Sequence, residues 1–220
     1  MKQTLNGAFA FGPGETITRL LRGLRVAEVA HSLSILTREL RPQEPAGAVR
    51  RPVPDGLIVR EISSEKLAGY RQGEGLPSSD FFQKEFSRGA RLFGAVRGED
   101  LLAVNWVNHQ WGDLTHIRRP SVTFSQGTAY LCGAEVALEH RGQGIGSLLK
   151  QELFALLRKE GYERVAVAAY LLDPRVHRWH RMNGFSLWGN ISYFRWRGRD
   201  FWWTRLTPLG RRMPGLLSFS

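Results

Sequence analysis

The sequence has few of the features that hold small extracellular or membrane proteins together. Its 220 residues include one cysteine, Cys132, so no disulfide can form within the chain. No set of cysteines and histidines has the spacing of a structural zinc site. No apolar run reaches the roughly 18 residues of a membrane-spanning helix, and the amino terminus lacks a secretory-signal pattern. We therefore expect a soluble, cytoplasmic protein stabilised by its hydrophobic core.

Acidic residues are scarce relative to basic ones. The chain has 31 Lys and Arg against 20 Asp and Glu, a net charge of +11. This surplus is uneven, because residues 1–60 carry +4, residues 61–171 carry 0 and residues 172–220 carry +7. Such a surplus favours anionic partners: phosphates, nucleic acid or an acidic membrane surface. Because no RNA- or DNA-binding motif accompanies it, we expect no nucleic-acid partner.

Residues 1–55 have the composition of a basic extension. Between residues 15 and 40 apolar residues recur at helical spacing, which predicts a helical segment. These residues are Ile17, Leu20, Leu21 and Leu24, followed by Val29, Leu33, Leu36 and Leu40. A basic amphipathic helix can pack on the domain or on a second subunit of a homodimer, or lie on an acidic membrane; all three stay open. The prolines of residues 41–55 predict a linker.

Residues 56–208 predict a single α/β (α+β) domain, and residues 209–220 a tail. Short, largely apolar runs predict strands at 57–62, 91–96 and 101–108, with helices at 65–72 and 80–88 after the first of them. Leucines on one face predict a helix over residues 145–160. Asp173-Pro174 has the cap and fixed φ of a helix start, and Asn183-Gly184 ends that helix. Two aromatic strands follow.

A glycine-rich run lies between a strand candidate at 128–138 and the 145–160 helix. It reads Arg141-Gly142-Gln143-Gly144-Ile145-Gly146. First-turn N–H groups of a helix have no internal partners and carry the positive end of the helix dipole. Glycines let an anion approach them closely. The run lacks the Gly-Lys-Ser/Thr ending of a P-loop and the G-x-G-x-x-G of a dinucleotide fold, yet it suits a pyrophosphate.

This run and its flanks resemble motif A of the GNAT N-acetyltransferase superfamily, a strand, then R/Q-x-x-G-x-G/A, then an amphipathic helix. The downstream Asn183-Gly184-Phe185 resembles the family's closing helix and strand start. The resemblance covers about residues 57–207. It implies a mixed, mostly antiparallel central sheet with flanking helices, and acetyl-CoA as co-substrate. It implies cofactor contacts at Val136, Ala137, Leu138, Arg141, Gly142, Gln143, Gly144, Ile145, Gly146 and Ser147.

The resemblance also implies transfer of an acetyl group by direct attack of an amine on the thioester. The family often places a tyrosine four residues before the glycine of the G-F pair, and here that position is His180. We expect His180 to protonate the leaving thiolate, or else to pack on its helix. Glu135, on the strand beside the expected thioester, is the first candidate for the base. His177 and His180 have the spacing of a metal-binding pair, but the sequence shows no third ligand, so no metal is expected.

Five of the seven tryptophans follow residue 172 and alternate with arginines. The aromatics can pack the last two strands, line a cleft for a sugar or an acidic substrate, or contact a membrane or nucleic acid. A loose resemblance to GNAT proteins with a basic extension favours an amino-sugar acceptor. The expected function is N-acetylation of a small amine. The alternatives are a longer acyl donor at a membrane surface and a non-catalytic acyl-CoA-binding module.

Overall fold

A computed structural model describes residues 29–40, 56–109, 111–113, 121–171, 173–197, 199–213 and 215–219. The chain divides into two compact units. The larger unit consists of residues 38–167 and 215–220. The smaller unit consists of residues 1–37 and 168–214. Predicted features at 15–28 and 41–55 lie outside the described residues.

The larger unit contains a sheet in the order β9-β8-β5-β4-β2. Its strands are β2 (Leu57–Ile62), β4 (Arg91–Arg97), β5 (Asp100–His109), β8 (Thr128–Val136) and β9 (Arg164–Tyr170), of which β9 continues into the smaller unit. Neighbours are antiparallel except β8 and β9, which are parallel. A short strand β3 (Arg71–Gln72) pairs in parallel with the start of β5. This confirms a mostly antiparallel sheet.

Helices and a small second sheet complete the larger unit. The helices are α1 (Ser64–Leu67), α2 (Ser79–Ser87) and α3 (Ile145–Lys159). The second sheet has the order β12-β7-β6, from β6 (Trp111–Asp113), β7 (Ser121–Phe124) and β12 (Leu217–Phe219). A core cluster includes Phe82, Leu92 and Trp106, with Trp106 fully buried. Because β4 and β5 are apolar on both faces, they read as nearly continuous hydrophobic runs.

The smaller unit contains strands in the order β11-β10-β1, with the end of β9 next to β1. The new strands are β1 (Val29–Glu39), β10 (Ser186–Trp196) and β11 (Arg199–Leu206), with β1 running into the larger unit at its end. Two helices belong to this unit, α4 (Pro174–Met182) and α5 (Pro208–Arg212). Both begin with proline after a capping residue, Asp173 for α4 and Thr207 for α5.

The prediction of a helix through Val29–Leu40 is wrong. These residues form strand β1, which is antiparallel to β10 from Val29 opposite Arg195 to Thr37 opposite Ser186. Residues 33–37 are buried on both faces, so apolar and small polar residues follow one another without a strict period of two. Such a run also fits a helical spacing, and only the partner strand decides between the two.

Two further segments differ from expectation. The helix predicted over 65–72 ends at Leu67, because Arg71 and Gln72 pair with β5. Residues 209–220, predicted as a tail, contain most of α5 and strand β12, which pairs with β7. The carboxyl-terminal segment is therefore part of the fold.

Candidate functional site

The strand that leads into the glycine-rich run extends beyond its pairing with its parallel neighbour. The register between β8 and β9 ends at Leu131 opposite Val167, whereas β8 continues to Val136. A bulge follows the last pair, since Gly133 and Ala134 of β8 face only Asn105 of β5. The last residues of β8 therefore present backbone groups at an edge that β9 does not pair.

Val136 has its backbone groups at this edge. The N–H of the next residue, Ala137, donates to the carbonyl of Leu102 at 2.9 Å. Successive residues of an antiparallel ladder direct their backbone groups to opposite sides, so those of Val136 point away from β5. Leu138 differs, because its N–H donates to the Glu74 carbonyl at 2.8 Å. Of the three residues predicted to contact the cofactor along this strand, Val136 is therefore the one whose N–H is directed to the open edge.

Two glycines of the run adopt backbone conformations that other residues rarely take. Gly142 has φ of +78° and Gly144, the residue before α3, has φ of +85°. No side chain caps the helix at Gly144. The geometry explains why both positions are glycine, since φ in this range carries a steric cost for residues with a Cβ. Glycine at this position also leaves the first N–H groups of α3 without a side-chain acceptor from the capping residue.

The first N–H groups of α3 are the candidate anion donors of the run. Ile145 and Gly146 have no intrahelical acceptor by position. The N–H of Ser147 already donates to the Gly144 carbonyl at 3.0 Å. The Ile145 side chain is buried and anchors the helix start in the core. The expected contact region is therefore concentrated at Ile145 and Gly146, next to Gly144, with the helix dipole behind them.

The polar side chains of the run fold back onto the chain. Arg141 donates from Nε to the Val136 carbonyl at 3.0 Å, and its guanidinium lies 3.7 Å from the Glu135 carboxylate. Gln143 donates from Nε2 to the Glu139 carbonyl at 3.1 Å. These contacts stabilise the loop, and they make backbone N–H groups rather than side chains its main anion donors.

Glu135 is a half-exposed carboxylate at the end of β8, opposite Val104. Burial raises the pKa of Glu135, and the nearby Arg141 guanidinium opposes that rise. A carboxylate with a raised pKa is a better proton acceptor than an ordinary one while it is still ionised at neutral pH. The structure therefore places Glu135 beside Arg141 and Val136, as a candidate base at the cofactor edge.

The downstream motif Asn183-Gly184-Phe185 is explained by the end of α4 in the smaller unit. Gly184, with φ of +80°, donates to the Arg181 carbonyl, and Phe185 donates to the His180 carbonyl. These two bonds define a Schellman motif, whose hydrophobic contact joins the residue after the glycine to the helix. That contact is present here, with the His180 and Phe185 rings 5.1 Å apart.

His180 is buried, with 5% of its surface exposed. Its ring contacts Phe185 edge-on and also lies 5.1 Å from the Trp179 ring. This environment accounts for a packing role at the end of α4. His177, on the same helix, is half-buried and its Nε2 lies 3.1 Å from the Tyr170 carbonyl. Glu135 and the glycine-rich run belong to the larger unit, and both histidines to the smaller one.

Sequence reasoning missed the residues that build the bulge. Asn105, 1% exposed, donates to the carbonyls of Trp106 and Cys132 at 2.9 and 3.2 Å. A Cβ on Gly133, whose φ is +54°, would lie 2.7 Å from Trp106 Cδ1. The sequence does contain a signal for this bulge, namely an asparagine among apolar residues of a predicted strand, because a buried amide needs hydrogen-bond partners. Trp106 itself is a core residue.

Among the described residues, no three His, Cys, Asp or Glu side chains are grouped as a metal site. No helix in that part of the chain has both the length and the apolar character to cross a membrane.

The fold is that of an α/β protein in which a glycine-rich turn joins strand β8 to helix α3. Residues 58–185 match the model of the acetyltransferase (GNAT) family. The match covers more than half of the chain, and the protein belongs to the GNAT acetyltransferase family. No curated protein matches it.

Solved structures are similar at low identity. A tandem GNAT protein from the clavulanic acid biosynthesis pathway has a TM-score of 0.51 and 20% identity, covering 86% of this chain and 58% of its own. A GCN5-related N-acetyltransferase from Sphaerobacter thermophilus has a TM-score of 0.50 and 15% identity, covering 80% and 54%. The chain thus spans less than two thirds of either structure. These similarities support the fold.

Proposed function

We propose that the protein transfers an acetyl group from acetyl-CoA to the primary amine of a small molecule. The observation that carries the proposal is the glycine-rich start of α3, with N–H groups of Ile145 and Gly146 directed out of the helix end. The membership of the chain in the GNAT family supports the same reaction class. A pyrophosphate is the anion that such a helix end suits.

The residues of the larger unit have distinct roles in this proposal. Gly142 and Gly144 let the phosphates approach the helix end, and the N–H of Val136 pairs with the pantetheine arm along the open edge of β8. Both contacts fix the thioester relative to the chain, which lowers the entropic part of the barrier. Ala137 and Leu138 support that strand end through their bonds to Leu102 and Glu74.

The chemistry requires two proton transfers. The amine nitrogen forms a bond to the thioester carbonyl carbon, the C–S bond breaks, and CoA leaves as a thiolate. Glu135 accepts the proton that the amine loses, aided by its raised pKa. His180 donates a proton to the thiolate. The alternative for His180 is the packing role that its contact with Phe185 supports.

A thiol-release assay tests the proposal. Full-length protein and acetyl-CoA are incubated with a panel of simple amines, amino sugars and amino acids, and free CoA thiol is measured. We expect release with at least one amine and loss of release in Gly144→Glu, which places a carboxylate at the anion site. The matched control is Gly215→Glu, since a side chain at Gly215 meets open space.

The outcomes separate the candidate functions. Thiol release only with long acyl-CoA donors would replace acetyl transfer by the longer-chain alternative. Acyl-CoA binding without release from any amine would identify a non-catalytic binding module. Equal loss of activity in both glutamate variants would remove the assignment of the helix end as the anion site.

A further inference from the structure

The smaller unit contains a pocket of about 660 Å³ beside α4. Leu36 of β1, Phe185 just before β10 and Leu187 within it contribute apolar wall, and His177 and Arg181 of α4 contribute polar groups together with Ser186. The volume lies within the range of small-molecule sites. We name this feature the α4 pocket and infer that it binds the carboxylate and ammonium groups of an α-amino acid with an aliphatic side chain.

The charge of the α4 pocket favours an anionic group. Arg181 is exposed and lines it, while no Asp or Glu is among its lining residues in the described part of the chain. Asp173, the nearest acid along α4, accepts from the backbone N–H groups of Arg175 and Val176 at 3.1 Å. A guanidinium binds a carboxylate through paired, charge-assisted hydrogen bonds. Arg181 is therefore the carboxylate-binding residue in this inference.

His177 supplies an acceptor for the ammonium group. Its Nε2 lies 3.1 Å from the Tyr170 carbonyl, which can only accept, so Nε2 is the donor in that bond. In a neutral ring the other nitrogen, Nδ1, is then an acceptor. The α4 pocket thus combines a cation, a hydrogen-bond acceptor and an apolar wall.

The apolar wall decides between an amino acid and a sugar. Its accessible apolar surface comes from Leu171, Pro174 and Leu187, and the buried Leu36 and Phe185 lie behind it. A sugar would bring some of its hydroxyl groups against this wall, where they gain no hydrogen bond. An aliphatic side chain instead gains from burial there. Leucine is the probe that satisfies all three parts of the α4 pocket.

Calorimetric titration of the full-length protein, without acetyl-CoA, tests the inference. We expect L-leucine to bind, L-leucinamide to bind at least tenfold more weakly because it lacks the carboxylate, and glycine to bind weakly because it lacks the side chain. Arg181→Gln should weaken leucine binding at least tenfold, or about 1.4 kcal/mol. Arg178→Gln is the matched control, since Arg178 is exposed on the same helix outside the pocket lining.

Several results would overturn the inference. These are absence of leucine binding, equal binding of leucine and leucinamide, or equal weakening by Arg181→Gln and Arg178→Gln. Glucosamine binding in place of leucine would assign the pocket to a sugar. Melting temperatures of both variants identify any loss of folding, and Leu187→Ala gives a second, uncharged test of the same pocket.

That leucine is also the acetyl acceptor is a separate claim, and it rests on the proposed function. Thiol release distinguishes this claim from the claim that the α4 pocket binds leucine. Leucine binding that depends on Arg181, without thiol release, would leave the pocket assigned and remove leucine as acceptor. Thiol release from other amines, with no leucine binding, would support the proposed function and refute the pocket assignment.

Discussion

Lys150 provides the sharpest test of the packing of α3. It is 1% exposed and lies on the buried face of the helix, next to Leu149 and one turn before Leu153. Burial lowers the pKa of Lys150 to about 7, from an ordinary value of 10.5. The substitution Lys150→Met keeps a long, flexible apolar side chain and removes the amine. We expect it to remove a pH dependence of stability that the native chain has.

The sign and size follow from proton linkage. Between pH 7 and 10 the unfolded chain holds the Lys150 proton and the folded chain does not, so unfolding takes up a proton. The free energy of unfolding therefore rises with pH, by at most about 1.4 kcal/mol per unit. With a folded pKa of about 7, the rise from pH 7 to pH 9 is about 2 kcal/mol. This contribution is complete only above the unfolded pKa, and it is lost as pH falls to the folded one.

Urea denaturation at pH 7, 8 and 9 measures this effect. The advantage of Lys150→Met over the native chain should shrink by about 2 kcal/mol across the series, because the other titrating groups cancel in the difference. Lys159→Met, at the exposed end of the same helix, should leave the native pH dependence unchanged. A difference between Lys150→Met and the native chain that stays constant with pH would refute the assignment of a neutral, buried lysine.

Three further substitutions test the site and its supports. Gly144→Ala should cost about 1 kcal/mol of stability because φ is +85°, and should weaken acetyl-CoA binding in calorimetry, whereas Gly215→Ala should not. Glu135→Gln should lower kcat and abolish the acidic limb of the kcat–pH profile. That limb should lie above the ordinary glutamate range, because burial raises the pKa of Glu135. An unchanged limb would contradict the role of Glu135 as the base. Asp173→Ala should cost about 1 kcal/mol in thermal unfolding through loss of the α4 cap, and Asp173→Asn much less.

Local signals made α3, α4 and the glycine-rich run predictable. Leucines on one face, Asp173 before Pro174 and the Gly184 ending are each read within a few residues, and the structure has all of them. The glycine-rich start of α3 is likewise a local feature, since a strand, a glycine turn and a helix follow one another. This is why the run could be recognised as a strand, turn and helix start before any tertiary contact was known.

Strand β1 could not be predicted in the same way. Its partner β10 lies more than 150 residues away, where Ser32 pairs with Ser192 and Ser34 donates to Asn190 at 2.9 Å. Buried serine and leucine neighbours carry no distinct strand period, so pairing rather than propensity decides their conformation. The α4 pocket depends on the same pairing, because Leu36 reaches the α4 residues only as part of β1.

Formal charge is a poor guide to the anion site of this chain. Residues 61–171, which contain the glycine-rich run, carry no net charge, and Arg141 is turned back towards the Val136 carbonyl and Glu135. In the proposed function, attraction for the pyrophosphate comes from backbone N–H groups and the helix dipole, which a count of charged side chains omits. Residues 172–220 carry the larger surplus, and Arg181 is the member of it that lines a pocket. The two proposed anion sites thus belong to different units, so a charge-removing substitution at Arg181 should alter binding in the α4 pocket and leave the first turn of α3 intact.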